Sequence, residues 1–275
     1  MIAVELRKLL LRPQVWVSVA LLCALPALVA VLLATSHVNP PPGRGAAFLS
    51  AVRSNGSLYP AAALALVLPV FLPLAVAVVA GDAVAGEAAR GTLRYLLVRP
   101  VGRGRLLAAK LVALSAFVLL ALAFVVASAL VIGVALFGTG AAAVGQPGQI
   151  TALSGVALGP GQLSLRMLAA VGYILVSMLG FGAVALLLST LTDSAVGAVL
   201  GALSVLITSS VLETLDAAAA LKPYLPTNYW LAWIDFFRDP IFWRSIERGL
   251  ALQAVYIAVC AGAAWANFST KDVTS

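Results

Sequence analysis

Six stretches of this chain run for about 20 residues with few or no charged side chains, and that fixes what it can fold into. An α-helix needs about that many apolar residues to cross a hydrocarbon core about 30 Å thick. The stretches fall at residues 15–34, 61–80, 106–137, 166–188, 196–213 and 249–268. A soluble alternative fails on surface. Of 275 residues, 63% are hydrophobic and 10% charged, whereas soluble domains carry roughly a quarter charged residues. The expected fold is therefore an all-α polytopic membrane protein, one transmembrane domain over 1–275 with six transmembrane helices.

The formal net charge is +7, but the basic residues sit beside apolar spans. No basic stripe with interleaved aromatics forms a soluble module, so nucleic acid is not an expected partner. Cys23 and Cys260 lie inside apolar runs and read as small buried hydrophobes. The first apolar run is longer than the 7–15 residues of a signal peptide's core, and Ala34-Thr35-Ser36 after it is read as part of a retained anchor. Residues 1–14 form an amphipathic N-terminal segment. Richness in Ala, Val, Gly and Arg suggests a bacterial chain, hence the plasma membrane.

Orientation follows from Lys and Arg near the span ends. With six spans both termini share one side, which holds Arg7, Lys8, Arg12, Lys271 and six basic residues between 81 and 110. The other side holds Arg44, Arg53, Arg166, Lys222, Arg238, Arg244 and Arg248. The contrast among short loops puts both termini, and residues 81–110, in the cytoplasm. The outer loop 213–248 gathers Tyr224, Tyr229, Trp230, Trp233, Phe236, Phe237, Phe242 and Trp243. Such rings favour the headgroup level, so short interfacial helices closing the outer end are expected. Exposure of the rings for binding is the alternative.

Motifs of catalysis are missing. The chain contains no G-x-x-x-x-G-K-[ST] phosphate loop, no H-E-x-x-H and no G-x-S-x-G, and His37 is its one histidine. No catalytic, cofactor or metal site is expected in the chain itself. Glu213 and Asp216 sit at the outer end of span five and Asp193 in the turn before it. Glu213 reads either as a contact for an ion or substrate, or as a carboxylate at the membrane boundary. Gly197-x-x-x-Gly201 in span five, with Gly180 and Gly182 in span four, allows close helix approach, within one chain or between two. Pro69 and Pro73, four residues apart, would share one face of span two and mark a kink able to gate.

The densest charge is in GDAVAGEAARGTLRYLLVRPVGRGRLLAAK, residues 81–110. Gly81–Arg90 is expected to form a short helix after span two. Gly91 suits its end, Thr92 caps a second helix over Leu93–Val98, and Pro100 stops that one. The result is an elbow, residues 81–105, at the inner surface. Were the helix continuous, Glu87, Arg90 and Arg94 would share a face, with Leu93, Leu96 and Leu97 on another. A loop held inside by its positive charge explains the arginines. A docking site for a cytoplasmic protein also explains the glutamate, the Gly-Thr break and the leucines.

Gly86-Glu87, Gly91-Thr92-Leu93, Leu96-Leu97, Pro100-Val101, Arg103 and Lys110, with Glu5-Leu6-Arg7-Lys8 before span one, resemble a recurrent signature of type-2 ABC exporter permeases. That group includes bacitracin-resistance, sodium-export and copper-maturation permeases. Gly102 stands where Ser is common, and Gly suits the same turn. The resemblance extends over the whole chain in length and span layout, while its specific motifs lie in 81–110. It implies an ATP-driven exporter of a hydrophobic or amphipathic substrate. Two copies of a cytoplasmic ABC ATPase, carrying ATP and Mg, would serve a homodimer of this subunit in membrane lipid. Glu87, Arg90, Gly91, Thr92, Leu93, Arg94, Leu96 and Leu97 would form the ATPase-coupling element. Segment 1–14 would lie along the inner surface, and spans one, two and five would surround the pathway. The competing expectation is an ion-gradient-driven secondary transporter or channel, for which Glu213 and Asp216 are the best feature. A non-transporting anchor that recruits a partner is a third.

Overall fold

The structure, a computed structural model, describes residues 2–35, 52, 55–89, 103–138, 150–151 and 157–270. Its helices in chain order are α1 (Ile2–Leu11), α2 (Pro13–Thr35), α3 (Tyr59–Val67), α4 (Phe71–Ala89), α5 (Arg103–Phe137), α6 (Pro160–Leu191), α7 (Ala195–Thr214) and α8 (Trp243–Thr270). Among the described residues, six of them (α2, α4, α5, α6, α7 and α8) are long and apolar enough to cross a membrane. The protein is an α-helical multi-pass membrane protein.

Local chemistry sets the helix ends. Ser194 caps α7, its hydroxyl accepting from the Gly197 N–H at 3.2 Å. Pro160 opens α6 after the extended Gly159. Gly138, with φ of 72°, closes α5 in the left-handed region that favours glycine. A 3-10 turn at Gly56–Leu58 precedes α3, and others lie at Asp216–Ala218, Lys222–Tyr224 and Trp230–Phe237. A two-residue antiparallel pair joins Ile150–Thr151 to Ala157–Leu158.

α4 and α6 form the centre of the bundle. In each, 61% of the apolar stretch is buried, against 22% in α2, α7 and α8. α6 packs along α8 and α4, and α4 also packs on α7. Glycines lie at these contacts. A Cβ at Gly180 would fall 2.0 Å from Gln253 Oε1 of α8, one at Gly182 2.5 Å from Leu114 Cδ2 of α5 and 3.3 Å from Val76 Cγ1 of α4, and one at Gly81 2.7 Å from Val199 Cγ2 of α7. Gly197 itself is exposed, and a Cβ there would come no closer than 3.3 Å to Thr192 Oγ1. At Gly201 the nearest atom, Leu188 Cδ1, is likewise at 3.3 Å. The close approaches within the chain thus use other glycines than the Gly197–Gly201 pair.

Three sequence expectations need revision. Span two is two helices, broken at residues 68–70, because two prolines in five residues remove two backbone donors. The break rotates the helices apart, so Pro69 is exposed while Pro73 is buried; the two do not share a face. Gly81 starts no new helix, since α4 continues through it to Ala89. The outer aromatics divide: Tyr224, Phe242 and Trp243 are exposed, but Trp230, Trp233, Phe236 and Phe237 are core residues. Trp230 meets Phe181 edge-on with ring centroids 5.7 Å apart, and Phe236 meets Tyr173 at 6.4 Å. A 3-10 coil over Trp230–Phe237 turns these rings onto α6 rather than toward headgroups.

Candidate functional site

Opposite charges converge on the C-terminal half of α4. Lys8 and Arg12 are four residues apart, α1 covering the first and ending just before the second. Asp82 and Glu87 are five apart on α4. These spacings, about 6 and 7.5 Å along a helix, match when the helices run antiparallel, and the contacts follow that register. Arg12 Nη1 donates to Asp82 Oδ2 at 2.7 Å, and Lys8 Nζ to Glu87 Oε1 at 3.2 Å. Ion pairs therefore link α1 to α4, while the body of α1 packs on α5 and Ile2, Val4, Leu10 and Leu11 are exposed.

Lys110 of α5 completes a ring. Its Nζ donates to Glu87 Oε2 at 2.8 Å and to the Ala83 carbonyl at 2.5 Å. Glu5 Oε2 lies 3.8 Å away, and Glu5 Oε1 receives Lys8 at 3.2 Å. Each cation reaches both carboxylates. Side chains of Lys110 and Glu87 are 3% and 4% exposed, that of Lys8 38%. Burial disfavours the charged form of Lys8, yet the attraction of Glu87 and Glu5 outweighs it, and its pKa is raised. A raised lysine pKa stabilises the fold fully below the unfolded value and loses that contribution as pH climbs through the folded one. Resistance of α1 to proteolysis is accordingly expected to stay level through neutral pH and fall only in the alkaline range. A drop near neutrality would contradict the assigned pairing.

Behind the ring, Ser189 of α6 reaches into the backbone of α4. Its hydroxyl accepts from the N–H groups of Val84 and Ala85 at 3.1 and 2.9 Å and donates to the Gly81 carbonyl at 2.6 Å. The C-terminal half of α4 is thus tied to α1, α5 and α6, and packed on α7 through Gly81. Among the described residues no group of three or more His, Cys, Asp and Glu could hold a metal.

Of the residues expected to form the coupling element, Glu87 is described and is buried in the ring. It holds α4 in place instead of facing solvent. Arg90, Gly91, Thr92, Leu93, Arg94, Leu96 and Leu97 lie outside the described residues, beginning directly after Ala89. Sequence reasoning missed Arg12, Asp82 and Ser189, and did not pair Lys8 or Lys110 with Glu87. Acids and bases at matching distances from the ends of different helices were the available signal. At the C-terminal end of α7, Thr227 donates to Glu213 and shares a 2.5 Å contact with Ser209. Glu213 is thereby anchored to the loop beside α7.

A family model described as a protein of unknown function, DUF2705, matches residues 27–274. That is most of the chain, and the chain belongs to this family. No curated protein matches it.

Proposed function

We propose that this DUF2705 protein is the membrane subunit of an ATP-driven transporter, coupled to a separate ATPase through the elbow that follows α4. The observation that carries this reading is the rigid inner end of α4. In sequence, residues 90–97 come directly after a helix that reaches the middle of the bundle and is fastened by Glu87, Asp82 and Ser189 to three neighbours. A push on the elbow would therefore be felt by α1, α5 and α6 together. A loop serving only to fix topology needs no such fastening. Within this reading Glu87 is a positioning residue, and Arg90 to Leu97 make the contact with the ATPase.

Two copies of the chain would face each other across their least buried spans, with an amphipathic or hydrophobic substrate exported between them. Differential contact of the elbow with the open and ATP-closed states of the ATPase would supply the driving force. The subunit would work in a bacterial plasma membrane with both termini cytoplasmic.

Leu96→Asp tests the contact directly, since a carboxylate cannot enter an apolar groove without large cost. Co-expressed with an ABC ATPase that docks on the wild-type chain, the variant is expected to lose co-purification and substrate-stimulated ATP hydrolysis while the chain stays folded. Undiminished docking and turnover would sink the assignment. The competing reading, ion-driven transport by the chain alone, draws on Glu213 with Thr227 and Ser209. It predicts ion-coupled uptake in liposomes with no ATPase present, and loss of that uptake in Glu213→Gln.

A further inference from the structure

Span two is interrupted deep in the apolar layer, and the helix cannot repair the interruption itself. α3 ends at Val67 and α4 begins at Phe71. In an α-helix the carbonyl of each residue is closed by the N–H four residues on. Pro69 and Pro73 have no N–H, so the carbonyls of Ala65 and Pro69 lack that donor in every conformation, bent or straight. Regular bonds stop on either side, with Leu68 N–H on the Leu64 carbonyl and Leu74 N–H on the Val70 carbonyl, both at 3.0 Å. Among the described residues no other donor reaches the Ala65 or Pro69 carbonyl.

The break lies about ten residues, or roughly 15 Å, below the outer end of α3, near the middle of a core about 30 Å thick. Pro69, Val70, Phe71 and Leu74 form an exposed strip there, Val70 at 53%. α2 and α7 both touch α4, are among the least buried spans, and carry no Lys or Arg. Lipid tails offer no donor either. Non-helical backbone at this depth persists where it is buried in protein or lines a water-filled cavity, and carbonyls of half-helices are groups that hold transported cations. The C-terminal end of α3 is also the negative pole of its dipole, which favours a positively charged donor.

We propose that this break binds the ammonium group of a cationic amphiphile. The Ala65 and Pro69 carbonyls accept its N–H donors, and Val70, Phe71 and Leu74 hold its apolar tail. The proposal rests on the transport reading above and adds the class of cargo: a primary amine on a hydrophobic body.

The test uses the full chain in nanodiscs of phosphatidylglycerol, which contain no lipid amine. Dodecylammonium is compared with dodecyltrimethylammonium, equal in charge and tail but without an N–H. Protein-dependent binding is taken against empty discs. The first probe is expected to bind at least tenfold tighter. Pro69→Ala/Pro73→Ala restores both backbone donors, so its Tm should rise while dodecylammonium affinity falls at least tenfold. Phe71→Ala leaves the backbone alone and should weaken both probes alike, about fivefold. Equal binding of the two probes, or unchanged affinity in the double proline variant, would overturn the site. Competition by added phosphatidylethanolamine would assign it to a lipid headgroup and remove the cargo. ATPase docking without amine binding would sink this proposal alone; amine binding without docking would sink the ATP-driven reading and leave the site.

Discussion

Lys110→Met is expected to destabilise the protein by on the order of 3–5 kcal/mol, the usual cost of removing one member of a buried ion pair. The methionine fills similar volume, so packing is not the cause. What changes is Glu87, which loses its closest cation, at 2.8 Å, and keeps Lys8 at 3.2 Å. Lys8 is more than a third exposed and solvent screens it, so it cannot compensate in full. The Ala83 carbonyl also loses its lysine donor. Unfolding in mixed micelles, or the Tm in nanodiscs, measures the loss. Glu87→Gln added to Lys110→Met removes the stranded charge and should recover more than half of it, whereas Lys8→Met alone should cost about 1 kcal/mol or less. A Lys110→Met variant as stable as the wild type would mean that the ring is solvated. Under the transport reading, the single variant should also lose substrate-stimulated ATP hydrolysis at temperatures where it remains folded.

Gly133→Val should be nearly as damaging, for a different reason. α5 meets the turn before α3 backbone to backbone. A Cβ on Gly133 would sit 2.4 Å from the Gly56 carbonyl oxygen and 2.5 Å from Tyr59 Cβ, and one on Gly56 would sit 2.0 Å from the Gly133 carbonyl oxygen. No flexible side-chain end is available to yield. The turn is held from both directions, since Gly56 N–H bonds the Gly138 carbonyl at 3.0 Å and the Tyr59 hydroxyl donates to the Pro26 carbonyl in α2. Overpacking of this kind costs about 3 kcal/mol, toward the upper end of its usual range. Gly172→Ala is the control. A Cβ there meets nothing within 4 Å, so the better helix former should be neutral or stabilising by up to about 1 kcal/mol. Similar losses for both glycines would show that helix propensity, not the close approach, governs the first.

Both cases separate what the linear pattern carries from what it does not. The apolar runs sufficed for the six spans, and their observed bounds extend the expected ones by a few residues at most ends: 13–35 against 15–34, and 195–214 against 196–213. Apart from α4, which runs to Ala89 where the span was expected to end at 80, the extensions are largest for α6 and α8, whose first turns carry polar residues such as Gln162 and Arg244 that a hydropathy reading assigns to loops. Span two departed furthest. Its composition is apolar throughout, and composition does not register that Pro69 and Pro73 together withdraw the donors a continuous helix needs. Glu87 was singled out as a charge at the inner surface. Its burial depends on Lys8 and Lys110, which are 79 and 23 residues away along the chain.

The amino-acid order by itself determined that this chain is a helical membrane protein with six long apolar spans, because transfer free energy of a run of apolar residues is a local sum. Tertiary structure alone decided which charges neutralise one another, which glycines touch and which aromatics become core. Those outcomes depend on distances between helices. Hydropathy and helical period leave each helix free to rotate and slide until its neighbours fix it.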